Sequence, residues 1–186
     1  MRPVHDGVLI TSTLDSTTPF PRVSKPLMIS SVRNEAGPTI YSQFTSVLDT
    51  ATYDVAVNQT FGAPRMGTIL AFPSYRVPVL NDGQPSDARV QLEVLGTDYI
   101  WRCSAWTFAR NWVGNGGNAY VGLYVLGATY PSNEAISFCT EPGSVCHQDD
   151  IMIVVRDFQL FARISSLVFM CSSLARSPVR PPPSLH

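Results

Sequence analysis

Lysine is almost missing from this chain: Lys25 stands alone beside twelve arginines. Charge of either sign is scarce, 15% of 186 residues against about 25% in ordinary soluble domains. Thirteen basic and fourteen acidic residues leave a net charge of -1. That balance excludes a globally cationic nucleic-acid binder, which needs a basic face or arm to neutralise phosphates. Cysteine is sparse as well, at Cys103, Cys139, Cys146 and Cys171, and no two form a C-x-x-C pair. Four in a chain this long are too few for a disulfide scaffold, so buried free thiols in a reducing compartment are expected. A membrane-length apolar run is also lacking. The greasiest stretch, from Ile151 to Cys171, is interrupted by Arg156, Asp157 and Arg163, which argues against a bilayer span and a membrane partner. The opening Met1-Arg2-Pro3-Val4-His5-Asp6 has no apolar run behind its charge, so no signal peptide is expected. The sequon at Asn58-Gln59-Thr60 carries little weight without one.

Catalytic signatures are equally thin. There is no G-x-S-x-G elbow and no H-E-x-x-H, and the loop from Gly114 to Asn118 lacks the lysine and following helix of a phosphate-binding loop. Serine–histidine–acid catalysis would have to use His147, since His5 and His186 lie in extended ends. Cys139, Cys146, His147, Asp149 and Asp150 cluster, but a spacing of seven between the cysteines misses the paired pattern of structural zinc. An adjacent Cys146–His147 nucleophile pair is disfavoured because neighbours on a strand point apart. Among the acids, Glu93, Asp98, Glu134 and Asp157 have no context that marks a carboxylate pair. The sequence therefore assigns no catalytic, cofactor-binding or metal residue, and no enzyme activity.

What is present reads as β-structure. Val90, Leu92 and Val94 alternate with Gln91 and Glu93, the two-residue period of a half-buried strand. Thr68–Phe72 and Tyr75–Leu80 are short apolar runs. Tyr99–Arg110, the loop Gly114–Asn118 and Ala119–Val125 together predict a hairpin. Ile151–Val155 is β-branched, and Phe158, Leu160, Ala162 and Ile164 continue an alternation with a phase shift at Arg156-Asp157. No 3.6-residue pattern persists for three turns, and one helical turn at Thr45–Thr52 is the exception. With 15 prolines, these segments predict an all-β, eight-stranded antiparallel jelly-roll sandwich with extended N- and C-terminal arms. The expected divisions are an N-terminal arm over 1–38, a jelly-roll domain over 39–176 and a Pro-rich tail over 177–186. Trp101, Trp106, Trp112, Tyr120 and Tyr124 are expected in the core or an interface rather than as a stacking platform.

The order of four segments resembles picornavirus-like capsid subunits, in size the small coat proteins of the secovirids. They are Gly67-Thr68-Ile69-Leu70-Ala71-Phe72, then Tyr99 through Phe108, then Asn118 through Pro131, then Val155-Arg156-Asp157-Phe158-Gln159-Leu160-Phe161-Ala162-Arg163. The resemblance implies a coat-protein subunit that assembles with other capsid subunits, the same or homologous chains, into an icosahedral shell around single-stranded RNA. It also implies location in the virion after assembly in the host cytoplasm, no catalytic site and no cofactor. The N-terminal stretch offers only Arg2, Arg22, Lys25 and Arg33 as cations, so contact with RNA is expected to be weak at most. The alternative is a β-sandwich carbohydrate-binding or attachment module.

Overall fold

The structure, a computed structural model, describes residues 24–80, 83 and 86–155. In chain order the elements are β1 (Pro26–Val32), α1 (Gly37–Gln43), α2 (Thr50–Phe61), α3 (Ala63–Ala71), a short 3₁₀ turn (Pro73–Tyr75), α4 (Arg89–Thr97), a π-helical turn (Asp98–Arg102), α5 (Cys103–Gly114), β2 (Asn118–Tyr124), α6 (Pro131–Glu134), α7 (Ser137–Thr140) and α8 (Asp149–Val155). β1 and β2 pair in parallel, from Pro26 against Asn118 to Val32 against Tyr124. Parallel neighbours need a long crossover, and the helical stretch between them supplies it.

This overturns the expected all-β jelly roll: the fold is mixed and mainly helical, and the described residues form one two-stranded parallel sheet. The error at Val90–Val94 has a specific physical cause. The alternation assumes that Glu93 faces water, yet Glu93 is buried at 4% exposure while Val90 is 47% exposed. The segment is α4. Thr68–Phe72 belongs mainly to α3, where Met66, Ile69 and Leu70 recur at helical spacing and pack on the core. The aromatic run Tyr99–Arg110 lies in the π turn and α5, because packing against the sheet outweighs its β propensity. The expected hairpin is thus a helix, a turn and a strand, and β2 takes β1 as its partner. Ile151–Val155 is helix α8. The helical turn expected at Thr45–Thr52 falls where α2 begins.

The segments that carried the likeness to coat proteins at 67–72 and 99–108 are helices. The jelly roll that this likeness implied, and the β-sandwich of the alternative, are therefore not the fold of the described residues. The alternation after Arg156, Cys171 and the Pro-rich tail lie outside the described residues, as do residues 1–23 of the expected arm.

Local chemistry explains the helix boundaries. Asp49 caps α2 by accepting the Thr52 N–H at 2.8 Å. Gly62, at φ 81°, ends α2 in a conformation other residues resist, and Pro64 sits in the first turn of α3. The core gathers Leu48, Tyr53, Val57, Ala88 and Leu95, with Phe44, Phe61, Met66 and Leu92 packed on it. Tyr53 donates from its hydroxyl to the Tyr75 carbonyl at 2.7 Å, and Tyr75 donates to Asp98 at 2.9 Å. Burial pushes both phenols up to about 12. Across the sheet, the Trp112 indole donates to the Lys25 carbonyl at 3.0 Å, which holds α5 over β1.

Candidate functional site

The two parallel strands end on the same side, and the chain just past β1 turns over the Asn34-Glu35-Ala36 segment before α1. Carboxyl ends of parallel strands are where open α/β sheets place their sites. Three residues past the end of β1 stands Glu35, 5% exposed. One of its oxygens accepts the Val32 N–H at 2.9 Å. The other meets Nδ1 of His147 at 2.6 Å, across 112 residues of sequence. A carboxylate only accepts, so Nδ1 donates, and Nε2 is left as the basic nitrogen. Among the described residues no hydrogen bond occupies Nε2, and the imidazole side chain is 46% exposed. The Glu35 hydrogen bond raises the His147 pKa above its ordinary value; burial opposes this, and the charges of Glu35 and Asp150 add to it.

The loop bearing His147 is held at many points. Asn34 accepts the Val145 N–H on its side-chain oxygen at 3.0 Å, and its own N–H donates to the Val145 carbonyl at 2.9 Å. Tyr130, 4% exposed, donates to the His147 carbonyl at 2.7 Å. Asp149 accepts the Cys146 N–H at 2.7 Å and the Asn133 amide at 3.1 Å. Its burial raises its pKa against those bonds. Gln148, immediately after the histidine, has φ 76°, a conformation that costs a non-glycine residue of order 1 kcal/mol and clusters at functional sites. The Trp101 ring, carried on the π turn, lies 5.6 Å from the imidazole centroid, and such turns are frequent at functional sites.

Cys139 and Cys146 form a disulfide with Cα atoms 5.8 Å apart, which corrects the expectation of free thiols at these positions. The spacing that rules out zinc is fully compatible with a bridge. It also leaves Cys146 no thiolate for a Cys–His pair. Cys103 is free and exposed. No cluster of three metal-ligating side chains occurs among the described residues, and none of their helices is long and apolar enough to cross a membrane.

Of the acids weighed in the sequence, Glu93 is buried beneath the Asn34 turn, Asp98 pairs with Arg102, Glu134 is exposed and Asp157 lies outside the described residues. Trp106 and Tyr120 are partly exposed and far from being a fully buried core. The sequence singled out His147 as the one histidine available to a triad but missed Glu35. Its only local signal is an acid placed just beyond an apolar run. No protein-family model matches this chain and no curated protein matches it.

Proposed function

We propose that this chain carries the acid and the base of an acyl hydrolase, with Glu35 as the orienting acid and His147 as the general base. The observation that carries the reading is the 2.6 Å contact between buried Glu35 and Nδ1 of the half-exposed His147. Such a pair fixes the tautomer and supports the imidazolium that forms during acyl transfer. The chain order, acid and then histidine, with the acid just past a parallel strand, is that of α/β hydrolases, where a serine precedes both.

In this mechanism Nε2 takes the proton of a hydroxyl as its oxygen attacks the ester carbonyl carbon. The imidazolium then gives that proton to the departing alkoxide as the carbon–oxygen bond breaks. Where the attacking hydroxyl is a serine's, water repeats the sequence on the acyl-serine ester and releases the carboxylic acid; where it is water, the first sequence already releases the acid. Trp101 offers an apolar wall beside the base, which suits an ester with apolar substituents. The hydroxyl is either a serine from sequence upstream of Glu35 or water itself. The Cys139–Cys146 bridge fits an oxidising compartment.

The test is hydrolysis of p-nitrophenyl acetate by the full chain, its His147→Ala variant and its Glu35→Gln variant, with a fluorophosphonate probe read by peptide mass. Faster hydrolysis by the wild type than by either variant is expected. Phosphonate labelling of a serine that depends on His147 identifies the nucleophile, and its absence alongside His147-dependent hydrolysis assigns the role to water. Equal hydrolysis by all three proteins would end the reading.

A further inference from the structure

Glu93 is a buried carboxylate with no part in the chemistry just described, yet it joins the segments that carry both members of the pair. Its Oε1 accepts the Thr97 hydroxyl at 2.9 Å, one helical turn along α4, and its Oε2 accepts the Asn34 side-chain amide at 3.3 Å. The directions of these bonds are fixed by their neighbours. The Ala36 N–H can only donate, and it donates to the Thr97 oxygen at 3.0 Å, so the Thr97 hydrogen must point to Glu93. The Val145 N–H likewise donates to the Asn34 oxygen, so the Asn34 NH₂ must face Glu93. Both carboxylate oxygens are therefore acceptors.

We infer that Glu93 is a positioning residue for the Glu35–His147 pair, an inference that rests on the function proposed above. Through Thr97 it holds the main chain one residue after Glu35. Through Asn34 it holds the residue before Glu35 and, by the same amide, the strand-like segment two residues before His147. An acceptor-only group at this point allows one orientation of the Asn34 amide. A neutral amide there can donate as well as accept, which permits the flipped Asn34 and frees Val145 from it. Burial raises the Glu93 pKa above the ordinary carboxylate value, while the Thr97 and Asn34 donors and the Arg102 charge oppose that rise. The donors that sustain the carboxylate are the groups it orients.

The experiment is proton and nitrogen NMR of the full chain labelled with ¹⁵N-histidine, whose three histidines can be separated by the His147→Ala variant. An imidazole N–H held by a carboxylate resonates far downfield, and Glu35→Gln identifies that signal. In Glu93→Gln and in the isosteric Thr97→Val, the expected result is movement of the signal upfield or its loss by exchange, at a temperature where circular dichroism shows a folded chain. A residue that merely adds stability leaves the signal in place under those conditions. Where Glu93→Gln does not fold, Thr97→Val decides. Folded variants that keep the wild-type signal would overturn the positioning role alone. Absence of any Glu35-dependent downfield signal in the wild type would overturn the pair itself and this inference with it.

Discussion

Tyr130 donates its phenolic hydrogen to the main-chain carbonyl of His147 at 2.7 Å, so the histidine is anchored through its backbone as well as through its ring. Glu35 fixes Nδ1 and Tyr130 fixes the carbonyl, two points contributed by segments on opposite sides of β2 in sequence. Tyr130→Phe removes the hydroxyl and leaves that carbonyl without its partner. A neutral hydrogen bond of this kind contributes about 1 kcal/mol, which lowers the melting temperature by about 2–4 °C for a chain of this size. Thermal melts of the two proteins, with ester hydrolysis in parallel, check this. Hydrolysis is expected to fall with the Tyr130 contact even at temperatures where the variant is folded.

Glu35→Gln keeps the size of the side chain and removes the charge that supports the imidazolium. Loss of the orienting acid in a triad costs about 10⁴-fold in turnover, and a drop of that order in His147-dependent hydrolysis is expected here. Because the Glu35 hydrogen bond is the leading cause of the raised His147 pKa, the variant's imidazole titrates at lower pH. The base form is the active one, so the acid limb of the pH–rate profile moves to lower pH in Glu35→Gln. An unchanged limb would mean that another group supplies the base.

The same shift has a consequence for stability, with the opposite dependence on pH. A histidine whose pKa is raised by folding contributes fully below its unfolded value of about 6.5. That contribution is lost as pH rises through the higher folded value. The groups acting on His147 are Glu35, Asp150 and the Trp101 ring. The melting-temperature advantage of wild type over His147→Ala is therefore expected to shrink from mildly acidic to mildly alkaline pH. A constant or growing difference over that range would contradict the raised value.

How much of this was legible in the sequence depends on which residues carried the signal. Tertiary packing, not local pattern, decides α4. Its Glu93 and Thr97 are buried because Asn34 and Ala36, about sixty residues away, present a donor to each, and no local window contains those partners. Alternation around a buried acid therefore imitates a strand. β2 was recognisable from its own Ala119–Val125 run, but its partner was not, since a parallel pairing links segments separated by the whole crossover. His147 could be isolated because histidines are few. Glu35 could not be, because its role depends on burial and on a contact 112 residues distant.

The Cys139–Cys146 bridge ends one residue before His147, and this makes the site sensitive to reduction. The loop it closes, with a sequence separation of seven, corresponds to about 2–3 kcal/mol of chain-entropy stabilisation. The residue just before the bridge is also docked on α1: Phe138 stacks on Tyr41 with ring centroids 4.0 Å apart. Cleavage therefore leaves this docking contact, the Glu35 contact to the ring and the Asn34, Tyr130 and Asp149 bonds as the restraints on the histidine loop. Cys139→Ser combined with Cys146→Ser is expected to lower stability by that amount in denaturant titrations and to reduce His147-dependent hydrolysis further than the stability loss alone explains. Dithiothreitol added to the wild type should reproduce both effects and leave the double variant unaffected. If reduction lowers stability but hydrolysis by the folded protein is unchanged, the bridge secures the fold without helping to hold the base.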